Sequence, residues 1–148
     1  MQGLTDLAKA AALGFAIAVT SIKPYYSYIY GDYDLRLWCK DGSSQAIVDS
    51  EFGAHFYYGY YENEIFADHC NQTFSSLKYI KIGDEITIVY GGKVKEMKCI
   101  AIEIMSVDDQ GHIRDKDGNY MGDSYAPCTV LYTCKGKKKR LVTIWEEK

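Results

Sequence analysis

A thiol, an imidazole and a guanidinium together can carry out acyl transfer, and this chain offers one set of the three at useful positions. The nucleophile has to be a thiolate. A free thiol, with a pKa of about 8.5, needs a nearby cation to ionise at neutral pH. There are 3 histidines. His55 lies in an aromatic stretch and His112 in a turn, whereas His69 directly follows an expected strand, Glu64 to Asp68. Cys134 closes another expected strand. Groups at strand ends are held by a scaffold yet reach solvent, which suits catalysis.

The residues after Cys134 supply the third group. If Gly136, Lys137 and Lys138 form a three-residue hairpin loop, Lys135 faces Lys139 and Cys134 faces Arg140. Cross-strand partners share a face, with Cβ atoms about 5 Å apart. Arg140 then stands beside the thiol, able to donate hydrogen bonds to an oxyanion, and Lys139 turns away. A two- or four-residue loop breaks that pairing. The plainer alternative is that Cys134 is an inert small apolar residue, as most strand cysteines are, and that His69 is merely solvated. Cys70 is a second candidate thiol. As the direct neighbour of His69 it is poorly placed, because adjacent strand residues face opposite ways.

The scaffold has to come from a chain of 148 residues, the size of one domain with a real core. Hydrophobic residues make up 47% and charged residues 25%, an ordinary globular balance. The net charge of −3 gives no reason to expect a nucleic-acid partner. The one basic cluster, Lys135 to Arg140, reads as a solvated hairpin tip.

After Pro24 the pattern is β. Strands are expected over Asp34 to Cys39, Gln45 to Val48, Glu64 to Asp68, Glu85 to Tyr90, Lys93 to Met105, Thr129 to Cys134 and Lys139 to Trp145. Gly91-Gly92 marks a two-residue hairpin, and Thr73 to Tyr79 fits a short helix with Phe74 and Leu77 on one face. Phe52 to Tyr61 is aromatic and broken by glycine, and its conformation stays open. The tyrosines between Tyr25 and Tyr61 suit half-buried strands, either as plain sheet packing or lining a groove.

At the N-terminus, Asp6 to Ser21 reads as a helix capped by Thr5. Its apolar run, Ala10 to Val19, is too short to span a bilayer. The helix either packs on the domain or is the remnant of a membrane anchor. The expected organisation is an N-terminal helical segment, residues 1–24, and a β domain, residues 25–148.

The 5 cysteines, Cys39, Cys70, Cys99, Cys128 and Cys134, include no CxxC pair. No structural zinc site is expected, and no disulfide framework. Cys39, Cys99 and Cys128 read as core. Asp115, Asp117 and Asn119 have the spacing that opens a calcium loop, but Tyr120 and Ala126 occupy positions where glycine and glutamate belong. Two tight turns are the expected reading, and neither metal nor cofactor is anticipated.

Two blocks of the chain resemble the sortase family. Glu64-Ile-Phe-Ala-Asp-His69, Thr73-Phe-Ser-Ser-Leu77 and Ile82-Gly-Asp-Glu-Ile-Thr87 are similar to the sortase segment around the catalytic histidine. Val130-Leu-Tyr-Thr-Cys134 is similar to the Thr-Leu-x-Thr-Cys motif, and Lys139-Arg-Leu-Val-Thr-Ile144 to the strand carrying the catalytic arginine. Asp68 and Val130 depart from the family's glycine and threonine.

The resemblance implies a closed antiparallel β-barrel with an N-terminal helix and one short helix after the catalytic histidine. It assigns catalysis to His69, Cys134 and Arg140. It implies a cysteine transpeptidase that cleaves a Leu-Pro-x-Thr-Gly-like sorting signal through a thioacyl intermediate. The acceptor would be an amine of peptidoglycan or a pilin, so surface proteins become anchored to the cell wall of a Gram-positive bacterium. Protein substrates with a C-terminal sorting signal are the expected partners, and the site would face outward from the membrane. Two alternatives stay open: a peptide-binding barrel without turnover, and a cysteine protease, a hydrolase that passes the acyl group to water.

Overall fold

The computed structural model describes residues 26–43, 45–49 and 52–148. The expected N-terminal helix and the boundary at residue 24 lie outside these residues. The strands are β1 (Tyr26–Gly31), β2 (Arg36–Asp41), β3 (Gly53–Tyr58), β4 (Asn63–Ala67), β5 (Glu85–Tyr90), β6 (Lys93–Val107), β7 (Ile113–Arg114), β8 (Thr129–Cys134) and β9 (Lys139–Glu147). One α-helix, α1 (Gln45–Asp49), and two 3-10 helices, Thr73–Tyr79 and Asp123–Tyr125, complete the described elements.

The strands close on themselves. The order runs β5-β1-β2-β3-β4-β8-β9-β6, and β6 pairs again with β5. Eight strands therefore form a barrel, with β7 added to the end of β6. The length of β6 makes closure possible: Lys93 to Lys98 pairs with β5, and Met97 to Ser106 pairs with β9. A register shift between Cys99 and Ala101 lies at the handover. Such a bulge adds bend and twist, which a closing sheet needs. The β5–β6 hairpin turns through Gly91 and Gly92 at φ 55° and 79°, a pair of positive values that favours glycine.

Two expectations need correction. The barrel is not purely antiparallel: β2 pairs with β3 and β4 pairs with β8 in parallel. Parallel neighbours need long crossovers, and such long-range pairings leave no local sequence signal. Gln45 to Val48 is not a strand but lies in α1. The Gln45 side chain donates to Asp49 Oδ1 at 3.1 Å, the i,i+4 contact that a helix allows and a strand does not. The open stretch Phe52 to Tyr61 supplies β3. Gly53 is required where β3 starts alongside β2, because a Cβ there would lie 2.6 Å from Leu37 Cδ2.

Side chains alternate between two apolar environments. Ile29, Leu37, Phe66, Phe74, Leu131 and Trp145 fill the barrel interior. Ile65, Met105, Met121, Val130, Val142 and Ile144 pack on the outside of the same strands. The registers Phe66↔Leu131 and Leu131↔Thr143 put the first kind on one face, and Ile65↔Val130 and Val130↔Ile144 put the second kind on the other. Strands buried on both faces read as continuous apolar runs, as Ile65-Phe66-Ala67 does. Two interior polar groups satisfy one another: Trp145 Nε1 donates to Thr143 Oγ1 at 2.8 Å, and that hydroxyl donates to Leu131 O at 2.8 Å. Strands β4, β8 and β9 are thus packed on both faces, and they carry the site.

Of the early tyrosines, Tyr28 and Tyr30 serve packing, whereas Tyr33, Tyr57, Tyr60 and Tyr61 are exposed. Tyr28 lies against Trp38 at 5.1 Å and Tyr30 at 5.8 Å between ring centroids.

Candidate active site

The parallel pairing of β4 with β8 brings two chain segments to the same end of the barrel. The register Ala67↔Tyr132 continues one step as Asp68 N–H donates to Tyr132 O at 3.4 Å. His69 follows on one strand and Cys134 on the other. The hairpin after Cys134 has the three-residue loop: Lys135 N–H donates to Lys139 O at 2.9 Å, and Cys134 pairs with Arg140. Gly136 turns it at φ 81°.

His69, Cys134 and Arg140 line one groove of about 280 Å³. Its floor is the outer face of the sheet, with Ala54, Phe56, Ala67 and Tyr132, and α1 contributes Gln45 and Val48 to its wall. Tyr132 is the described tyrosine that lines it.

The electrostatics single out one cysteine. Burial raises the Cys134 thiol, but a hydrogen bond with Cys70 and the charge of Arg140 outweigh burial and hold it below the ordinary thiol value. The other four move the opposite way. Burial lifts Cys39 strongly and lifts Cys99 and Cys128 to about 11. Cys70 is raised chiefly by its hydrogen bond with Cys134. Cys39 and Cys99 are enclosed in the core as expected, while Cys128 is half-buried, with its thiol 3.4 Å from Gly122 O.

Cys70 stands where strand alternation did not put it. β4 ends at Ala67, so the period-two rule lapses before His69, and Cys70 Sγ lies 3.0 Å from Cys134 Sγ.

Asp49 is the site residue that the sequence did not reveal. Its Oδ1 lies 2.7 Å from His69 Nε2, and it sits below the usual carboxylate range because of its hydrogen bonds with Gln45 and His69. The helix-forming Gln45/Asp49 spacing was the available signal.

The other histidines serve elsewhere. His55 is enclosed, with Nδ1 2.8 Å from Asp41 and Nε2 3.0 Å from Glu64, and its ring stacks on Phe66. Burial opposes its protonation, but the two carboxylates overcome that and raise its pKa. His112 Nδ1 lies 3.3 Å from Tyr58 Oη. Asp115 accepts from the Asp117 and Asn119 N–H groups and from Ser124 Oγ. That loop uses its carboxylate to fix its own turns, and no metal-holding cluster occurs among the described residues.

Asp68 lies in the groove wall. It is buried, and neither carboxylate oxygen has a well-formed hydrogen bond. Burial raises its pKa to about 6, against the partial pull of His69 and of the N–H groups of Phe74 and Thr73. The folded state therefore binds this proton more tightly than the unfolded chain does. The destabilisation is complete above pH 6 and fades as pH falls toward the unfolded value. Asp68→Asn is expected to raise stability by about 1–3 kcal/mol at pH 7. The gain should vanish near pH 4, as read by urea unfolding at both pH values.

No protein-family model matches the chain, and no curated protein does. Solved structures do. Sortase A from Corynebacterium diphtheriae superimposes with a TM-score of 0.66 at 19% identity, over 85% of this chain and 61% of that one. A sortase D5 transpeptidase from Clostridium perfringens gives 0.63 at 18% identity, over 83% and 78%. Sortase C-1 from Actinomyces oris gives 0.63 at 14% identity, over 87% and 75%.

The fold is sortase-like.

The match to sortase A covers less than two thirds of that protein's length. Among the described residues of this sortase-like barrel, no helix is long and apolar enough to cross a membrane.

Proposed function

We propose that the chain is a cysteine transpeptidase of the sortase type. Cys134 is the nucleophile, His69 the acid–base partner and Arg140 the oxyanion donor. The observation that carries this reading is one groove holding all three side chains, with Cys134 the one cysteine whose thiol is pushed down.

Each step uses a group already described. The Cys134 thiolate attacks the carbonyl of a Leu-Pro-x-Thr-Gly-like signal. Arg140, opposite it across the hairpin, donates to the oxyanion of the tetrahedral intermediate. His69 protonates the leaving amine, and a thioacyl bond to Cys134 remains. An incoming amine of peptidoglycan or a pilin gives its proton to His69 and takes the acyl group. Asp49 on Nε2 holds the imidazole and leaves Nδ1 for proton transfer. The place of action is the outer face of a Gram-positive cell membrane, where surface proteins are joined to the cell wall.

Mass spectrometry after incubation with a library of sorting-signal peptides tests the reading. An acyl adduct on Cys134 that disappears on adding a small amine supports it. Loss of the adduct to water alone marks a peptidase. Binding without any adduct marks a peptide-holding module.

The hairpin register makes a separate prediction. Lys139 Nζ points away from the groove and donates to Ser106 Oγ at 2.9 Å, whereas Arg140 is half-buried in the groove wall. Lysine keeps the charge of arginine but loses its planar fork. Arg140→Lys is expected to lower acyl transfer about 100-fold, the scale of one oxyanion donor. Lys139→Ala should leave the rate nearly unchanged. Rates of the two variants under identical conditions decide, and a larger loss for Lys139→Ala would sink the assignment.

A further inference from the structure

The two sulfurs at the head of the groove form a second reactive unit. Cys70 Sγ and Cys134 Sγ are 3.0 Å apart, on segments 64 residues apart in the chain. Cys70 is exposed, on the turn that leads from β4 to the 3-10 helix Thr73–Tyr79, and Cys134 is half-buried at the end of β8. A disulfide needs sulfurs about 2.0 Å apart, so closure is a movement of about 1 Å. The exposed turn at Cys70 is the part free to make it, because Cys134 is held in the β8–β9 ladder opposite Arg140. The remaining cysteines do not compete: Cys39 and Cys99 are enclosed in the core, and the Cys128 thiol is directed to Gly122 O.

We propose that Cys70 and Cys134 are a reversible disulfide pair, closed by low-molecular-weight disulfides of the glutathione type. The Cys134 thiolate attacks one sulfur of glutathione disulfide. A mixed disulfide forms on Cys134, and one glutathione thiolate leaves and takes a proton from water. Cys70 gives up its proton and attacks the Cys134 sulfur, expelling the second glutathione as a thiolate that is protonated in turn. The two protein thiols lose two electrons and two protons, and glutathione disulfide becomes two glutathione molecules. The contact between the two sulfurs favours this order of events: Cys134 carries the lowered thiol and Cys70 the raised one. A thiolate beside a second, resolving thiol is the arrangement that makes exchange run to completion. The effect on turnover rests on Cys134 being the nucleophile, because the closed bond leaves no thiolate there. The bond itself does not rest on that reading.

The test incubates the full chain with glutathione disulfide, caps remaining thiols with N-ethylmaleimide and maps peptides without reduction. The wild type should yield Cys70 and Cys134 peptides joined to each other, with no glutathione retained and with both thiols recovered after dithiothreitol. Cys70→Ser should stop at glutathione bound to Cys134. A wild type that also stops there, one that joins Cys134 to a different cysteine, or one in which neither thiol reacts overturns the proposal. If Cys70→Ser does not fold, the wild-type map decides alone, since the joined peptide is present or absent. A chain that closes the bond but never forms an acyl adduct with sorting-signal peptides fails as a transpeptidase only. One that acylates yet keeps glutathione on Cys134 fails this proposal only.

Discussion

Cys134→Ala is expected to abolish acyl-enzyme formation completely while leaving the barrel intact. Only a half-buried sulfur is removed, so urea stability should change by about 0.5 kcal/mol or less. An unperturbed thiol is only a few per cent ionised at neutral pH. Cys39, Cys99 and Cys128 are less ionised still, since burial raises all three. Cys134 alone is lowered. Limited iodoacetamide treatment of the reduced wild type at pH 7 should therefore label Cys134 first. Because its thiol sits lower, its labelling rate should level off at a lower pH than that of an ordinary thiol. Equal labelling of all five, or an acyl adduct that moves to Cys70 in Cys134→Ala, would show that the nucleophile is wrongly assigned.

His69→Ala should lower acyl transfer by about 100- to 10,000-fold, the usual contribution of a positioned acid–base group. The wild-type pH–rate profile should be bell-shaped, both limbs belonging to the thiol–imidazole pair jointly. The variant should lose one limb. Asp49→Ala separates positioning from chemistry. The Asp49–His69 contact is largely exposed, at 58% and 31% of the two side chains, and exposed ion pairs contribute little. Its loss should therefore cost far less than loss of the imidazole and should keep both limbs. Near-normal turnover in His69→Ala would remove His69 from the mechanism. His55 is then a poor substitute, because both its ring nitrogens are taken by Asp41 and Glu64.

What could be read in the sequence was whatever is local. The strand ending before His69, the Gly91-Gly92 turn and the β8–β9 hairpin all carry their signals within a few residues, and the Cys134↔Arg140 register follows from loop length alone. The relation of Asp49 to His69, and of Cys70 to Cys134, depends on segments brought together by parallel pairing across 20 and 64 residues. No periodicity encodes that. Cys70 escapes strand alternation for a related reason: it lies three places beyond Ala67, where β4 stops. The Gln45 to Val48 segment misled because four residues are too few to separate strand from helix by pattern.

The β4–β8 pairing also bears on when during folding the site comes into being. Thr133 Oγ1 donates to Asp68 O at 2.7 Å across 65 residues, and everything from the 3-10 helix Thr73–Tyr79 to the 3-10 helix Asp123–Tyr125 intervenes. Closing so long a loop is entropically costly, and non-local pairing of this kind is slow. The β5–β6 hairpin and the β1–β2 pair can assemble from near neighbours, but β8 must then slot between β4 and β9. A chain emerging from its N-terminus would hold His69 well before Cys134 existed to meet it. Until that last seam shuts, Cys134 lacks the apposed Cys70 and the fixed groove wall, and such a chain carries its thiols without the means to use them.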